Sequence, residues 1–391
     1  MLKVQNEFKG SNFQNAIFTI DNTIVSTNQR LYFIDAVRAF AILMMLQGHF
    51  IDTLLAPEFR SDNFMAYRIW SYFRGITAPT FFTISGLIFT YLLLKAKEKG
   101  NEGFRMKKGI NRGLMLIGIG YLLRIPFLSW MFGEFNTYWM AIDVLQIIGL
   151  SLIAIVILYA VCLRHTIVFS IITILLGFTI FVCEPLYRDL VLEDVPMLFA
   201  NYLSKANRSV FTFLPWFGYM SFGAYIATAF YRHLDKPNFK PATLTVFFLV
   251  GIGLINYSTW ILYYLKQWTG IQVFLDSANY NYLFTRLGNV LLYFAIFYGF
   301  ERYLKPPLLL RIGQKTLSIY VIHFIIIYGS FTGVGLHQLI GKTLVPWQAI
   351  IGAALFLVVV CIISFYYVQT NAYVYNKFRQ LFKKLKGLTK T

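Results

Sequence analysis

Residues 30–52 read RLYFIDAVRAFAILMMLQGHFID, and this stretch decides the fold class. The apolar run over 31–55 is long enough to cross a bilayer, because a hydrocarbon core of about 30 Å takes about 20 helical residues at about 1.5 Å each. It nevertheless carries Asp35, Arg38, Gln47, His49 and Asp52. A charge at membrane depth costs at least about 2.5–3.5 kcal/mol, so it needs a partner or a task. Such a helix belongs inside a bundle of other membrane helices.

The rest of the chain supplies them. Further apolar segments span 76–94, 110–132, 140–163, 166–183, 211–231, 241–265, 282–300, 317–331 and 345–370, with a short extra element expected before 317. The 391 residues are 58% hydrophobic and 13% charged. Soluble domains have roughly twice that share of charge, about 25%. Strands of a membrane barrel would alternate apolar and polar residues over about ten positions, and these runs are continuously apolar. The expected fold is all-α, a polytopic integral membrane protein with about ten transmembrane helices. An interfacial or cytoplasmic lead-in (1–30) precedes the membrane domain (31–371), and a basic tail (372–391) follows.

Positive charge sets the orientation. The segment 95–112 holds Lys95, Lys97, Lys99, Arg105, Lys107, Lys108 and Arg112. Arg164, then Arg232, Lys236 and Lys240, then Arg302, Lys305, Arg311 and Lys315 fall on the same side, as does the tail with Lys377, Arg379, Lys383, Lys384, Lys386 and Lys390. The alternate loops carry Glu134, Glu184, Asp189, Glu193, Asp194 and Asp276. Both termini are therefore expected in the cytoplasm, and the membrane is the inner one if the source is bacterial. The net charge of +18 reads as topology and attraction to anionic lipid, with no nucleic acid as partner. The opening thirty residues include Gln5, Asn6, Glu7 and Asp21 and lack the apolar core of a signal peptide. Cys162, Cys183 and Cys361 show no C-x-x-C spacing, so neither a disulfide framework nor a metal site is expected.

Polar residues inside the apolar segments carry the chemistry. Asp35 and Arg38 are three apart, as are His49 and Asp52, so each pair shares a helix face. Arg38 and His49 are eleven apart and also share a face, about 16 Å from one another along the axis. They are suited to two ends of one elongated ligand. Arg matches phosphate oxygens with its fork of donors, and His exchanges protons near neutrality. Asp52 could fix the His49 tautomer, as the acid of a triad does. The structural alternative is that these groups only anchor the helix at its two interfaces. Arg74, Arg124, Asp143, Gln146 and Arg286 join His49 in the outer half, and His323 lies in the ninth segment. Taken singly, each reads more simply as structural; together they mark a site for acceptor and transition-state contacts.

The spacing R-x10-H in a helix that begins R-L-x-F-I-D-A-x-R resembles the transmembrane acyltransferase superfamily. The run IGQKTLSIYVIH (312–323) resembles a late helix of the same proteins. DVLQ (143–146) and RGITAPTFFTISG (74–86) are similar to the branch named for heparan-α-glucosaminide N-acetyltransferase, with the acyltransferase-three enzymes as relatives. Ala39 stands where the common motif has Gly. The resemblance implies transfer of an acyl group, acetyl above all, from cytoplasmic acyl-CoA to an amine or hydroxyl of a glycan or amino sugar at the outer face. It implies His49 as catalytic residue and Arg38 as support for the acyl donor, with no metal. Arg74 or Arg124 would steady the oxyanion. A homodimer is compatible with this pattern. The rival is a proton-coupled secondary transporter, for which matched broken helices in two halves are the usual mark.

Overall fold

The computed structural model describes residues 31–135 and 137–366. The lead-in, the basic tail and the end of the last apolar segment lie outside the described residues. Helices of eight residues or more are α1 (Tyr32–Leu54), α2 (Met65–Arg74), α3 (Thr77–Glu98), α4 (Glu102–Arg124), α5 (Val144–Val161), α6 (Thr166–Val182) and α7 (Phe213–His233). They continue with α8 (Phe239–Thr269), α9 (Gln272–Asn279), α10 (Tyr282–Gly299), α11 (Pro307–Gln314), α12 (Thr316–Tyr328) and α13 (Pro346–Tyr366). No strand occurs among the described residues; an isolated parallel bridge joins Leu55 to Leu344.

All ten apolar segments contain helix, with ends trimmed for local reasons. Pro126 forces Ile125 into extended backbone (ψ 116°), so α4 stops at Arg124. Asp143 caps α5, which therefore begins at Val144. Gly329 adopts a left-handed conformation (φ +68°) that ends α12. By length and apolar composition, five helices qualify as membrane spans, or six if the bent pair α11–α12 is one span. That is fewer than the expected figure of about ten. The reasons are visible in the chain: α4 carries Glu102, Arg105, Lys107, Lys108 and Arg112 along its first half, α10 carries Arg286 and Asn289, and α6 has 17 residues.

Small residues let the helices approach closely, as they do in lipid, where tails compete with any apolar side chain. A Cβ on Gly86 of α3 would overlap the Met220 carbonyl of α7, and one on Gly223 of α7 would overlap the Thr83 carbonyl of α3. Gly113 and Gly149 make the same reciprocal contact between α4 and α5, and Gly251 and Gly288 between α8 and α10. Aromatic rings fill the remaining interior: Phe33 sits 4.9 Å from Tyr298 and 5.7 Å from Phe230, and Phe181 sits 4.7 Å from Tyr219.

Two features of the fold position α1. At its start, the Phe33 amide donates to Glu301 Oε1 (3.2 Å), and Glu301 pairs with Lys240 (3.8 Å), tying α1 to the basic segments. At its end, Leu344 N–H donates to the Leu54 carbonyl (2.9 Å). The second feature is the break between α11 and α12, a bend of 70° at Lys315. Gly313 of α11 meets the backbone carbonyl of Asp35 so closely that a Cβ would overlap it. The crossing brings the first residue of α12 beside Arg38.

Candidate active site

α1 and α12 form one polar seam, pinned at both ends. At the first pin, Arg38 Nη2 donates to Thr316 Oγ1 (2.9 Å), and Nη1 lies 3.9 Å from Asp35. At the second, His49 Nδ1 meets the Tyr328 hydroxyl at 2.9 Å. Eleven residues separate the pins on α1 and twelve on α12, which is about 16 and about 18 Å of helix. The two helices therefore run side by side from one pin to the other. Between them, the His323 ring lies 5.3 Å from the His49 ring and 4.9 Å from Tyr320.

Two carboxylates, each paired with arginine, flank His49. Arg74 closes on Asp52, and Arg60 Nη1 approaches the same carboxylate at 3.6 Å. Gly48 leaves room for the Arg74 stem, 3.4 Å from where a Cβ would stand. Arg124 donates to Asp143 Oδ2 (2.8 Å) with side chains only 4% and 13% exposed, and its guanidinium lies over the Tyr138 and Phe324 rings. Asp143, Arg74 and Asp52 all lie near enough to act electrostatically on the His49 imidazole. His49, Asp52, Arg74, Asp143 and Arg124 thus belong to one cluster, with His323 beside it.

Three expectations change. Asp52 does not orient His49: its carboxylate is engaged by Arg74 and Arg60, and Nδ1 of His49 is met by Tyr328. Gln146 serves the α5 start, its Oε1 accepting from the Asp143 amide (3.2 Å) while the Asp143 carboxylate accepts from the Val144 amide (2.7 Å). Arg286 braces the junction of α2 and α3 from α10. Its Nη1 donates to the Tyr72 carbonyl (2.7 Å), its guanidinium covers the Tyr72 ring, and Gly75 leaves no space for a Cβ against it.

Tyr328, Thr316, Tyr320 and Arg60 complete the cluster without being legible as site residues beforehand. Thr316, Tyr320 and His323 follow 3–4 spacing and so share a face of α12, a signal the sequence does hold. Tyr328 gives no such signal, because its partner lies 279 positions away. Among the described residues no group of three or more His, Cys, Asp or Glu is placed to hold a metal ion.

Residues 30–267 match the model for the catalytic domain of heparan-alpha-glucosaminide N-acetyltransferase. The chain belongs to this family. Membership in the heparan-alpha-glucosaminide N-acetyltransferase family makes it a membrane protein of transferase type, and family enzymes use acetyl-CoA as donor. The matched region contains Arg38, His49, Asp52, Arg74, Arg124 and Asp143. It stops short of α12, so Thr316, His323 and Tyr328 lie outside the matched region and meet the cluster through the tertiary fold alone. None of the curated proteins compared with the chain matches it.

Proposed function

We propose that this protein moves an acetyl group from acetyl-CoA on the basic, cytoplasmic side to an amine or hydroxyl of a sugar at the opposite face. The supporting observation is the pinned seam: Arg38 at one end, His49 at the other, with α12 beside both. In this reading all ten apolar segments cross the membrane and both termini are cytoplasmic. Arg38 holds the anionic part of the donor, for which its planar fork of donors is suited. The pantetheine arm runs along the seam and presents the thioester at His49.

His49 is the general base. An attacking amine must be neutral, and an attacking hydroxyl must lose its proton, so both need an acceptor within hydrogen-bond reach. Tyr328 holds Nδ1; in the tautomer the mechanism requires, Nδ1–H donates to the phenolic oxygen and Nε2 is left as the base. The acceptor nitrogen or oxygen then bonds to the acetyl carbon as Nε2 takes its proton. The C–S bond breaks, and the proton passes from His49 to the departing thiolate.

The test is acetyl-CoA turnover by purified protein in nanodiscs, wild type against His49→Ala, with a panel of amino sugars and neutral glycans. Turnover in wild type and a loss of at least about 100-fold in a folded variant is expected for a general base. Unchanged turnover in His49→Ala removes His49 from the chemistry. Substrate flux across the membrane with no acyl transfer would favour the transporter instead.

A further inference from the structure

Expectation from sequence gave the oxyanion to Arg74 or Arg124. Their surroundings argue otherwise. Each guanidinium is already closed on a carboxylate, Asp52 or Asp143, and Arg124 is enclosed with its partner. Turning Arg124 toward a substrate would leave Asp143 unpaired at membrane depth, which is expensive, and turning Arg74 would give up its ion pair and leave Asp52 to Arg60 alone.

His323 is in the opposite condition. It is 0% exposed, and among the described residues neither Nδ1 nor Nε2 has a hydrogen-bond partner. The Ile319 and Tyr320 carbonyls of the preceding turn lie near the ring but outside hydrogen-bond geometry. A buried polar group without a partner costs about 1–3 kcal/mol. Retaining one beside the candidate base fits a group whose partner is the substrate.

Its position along the seam gives the partner. His323 is seven residues beyond Thr316 and five before Tyr328, so along the α12 axis it lies about 10 Å from the first pin and about 8 Å from the second. A thioester arm passing from Arg38 to His49 reaches His323 on the way. Both pins are side-chain contacts.

We infer that His323 is a second catalytic residue, donating a ring N–H to the carbonyl oxygen of the acetyl thioester. This rests on the acetyl-CoA reading above and adds a role to it. As the acceptor bonds to the acetyl carbon, the carbonyl electron pair moves onto oxygen and the N–H of His323 holds it. When the C–S bond breaks, that pair returns to the carbonyl. The proton lost by the acceptor travels through His49 to the thiolate, and His323 ends with the proton it began with. A neutral N–H set in a dry site before the reaction suits a developing oxyanion.

Two variants separate the donor from the shape of the ring. His323→Phe keeps a flat ring and removes the N–H; His323→Gln keeps an N–H. The readouts are steady-state kinetics and isotope-edited infrared spectroscopy of acetyl-CoA labelled with carbon-13 at the carbonyl, bound to the full chain in nanodiscs. In wild type and His323→Gln the bound carbonyl band should fall below that of free acetyl-CoA, and in His323→Phe the fall should vanish. Turnover should drop about 100–1,000-fold in His323→Phe with KM for acetyl-CoA little changed, and within about tenfold in His323→Gln. The inference is overturned by a wild-type band at the free position, by His323→Phe turning over normally, or by His323→Gln falling as far as His323→Phe while both melt like wild type. Failure of wild type to bind acetyl-CoA would bring down the underlying acetyltransferase reading and this inference with it.

Discussion

α1 and α8 both qualify as membrane spans, yet 56% of the apolar window of α1 is buried inside the protein and only 17% of that of α8. α8 buries Phe247, Gly251, Ser258 and Leu262, with Phe247 and Gly251 set against Phe294 and Gly288 of α10, and exposes Trp260, Tyr264 and Trp268. Its interior polar groups are served within the helix or nearby: Asn256 donates to the Ile252 carbonyl and Ser258 to the Leu254 carbonyl. α1 carries Arg38, His49 and Asp52, whose partners come from three other parts of the chain: Thr316 and Tyr328 of α12, Arg74 of α2, and Arg60 between α1 and α2. Apolar character carries a helix into the membrane; its charges then decide whether it faces lipid or protein.

The comparison breaks if changes in the polar interior prove no worse than changes on α8. The largest effect is expected at Arg124→Leu, which strands a nearly enclosed Asp143 and should cost about 3–5 kcal/mol in thermal unfolding. Adding Asp143→Leu should restore most of the melting temperature; a double variant as unstable as the single one would mean that packing, and not the unpaired carboxylate, governs the loss. Next comes Arg38→Ala, which should raise KM for acetyl-CoA about 10–100-fold, the worth of a hydrogen-bonded charge, with kcat within a few-fold. A fall in kcat at constant KM would instead place Arg38 at the transition state.

Tyr328→Phe removes one hydrogen bond to His49 and should lower kcat about 5–10-fold. Asp52→Asn should cost less than Tyr328→Phe, because Asp52 serves Arg74 and Arg60. The reverse order in kcat would restore Asp52 as the orienting acid. The smallest effect belongs to α8. Trp260→Leu, on an exposed face, should leave stability within about 0.5 kcal/mol and turnover unaltered. A marked loss there would mean that α8 meets a protein partner and not lipid.

Much of the bundle was legible in advance because helix formation in lipid is a local matter: each apolar run must satisfy its own backbone hydrogen bonds. The start of α5 was less legible, because Thr137–Met140 forms a separate turn and Asp143 resets the cap. The break at Lys315 was only half anticipated, as a short element before the helix. Within the site, the R-x10-H spacing placed Arg38 and His49 on one face correctly. The i, i+3 rule also suggested that Asp52 would serve His49. That rule fixes which residues are neighbours on a helix and says nothing of competitors arriving from elsewhere, here Arg74 and Arg60.

The sequence by itself determined that the protein is an all-α membrane protein, which residues at membrane depth need partners, and the family to which residues 30–267 belong. These follow from composition, run length and spacing along a single helix. The tertiary structure alone decided who meets whom across the bundle: Thr316 for Arg38, Tyr328 and His323 for His49, Asp143 for Arg124. Those choices depend on how helices cross, and the crossings are set by points such as Gly313 against the Asp35 carbonyl, where the absence of a side chain permits backbone contact. A pattern of residues along one helix carries its own periodicity but not the register of a helix packed against it from 278 positions away.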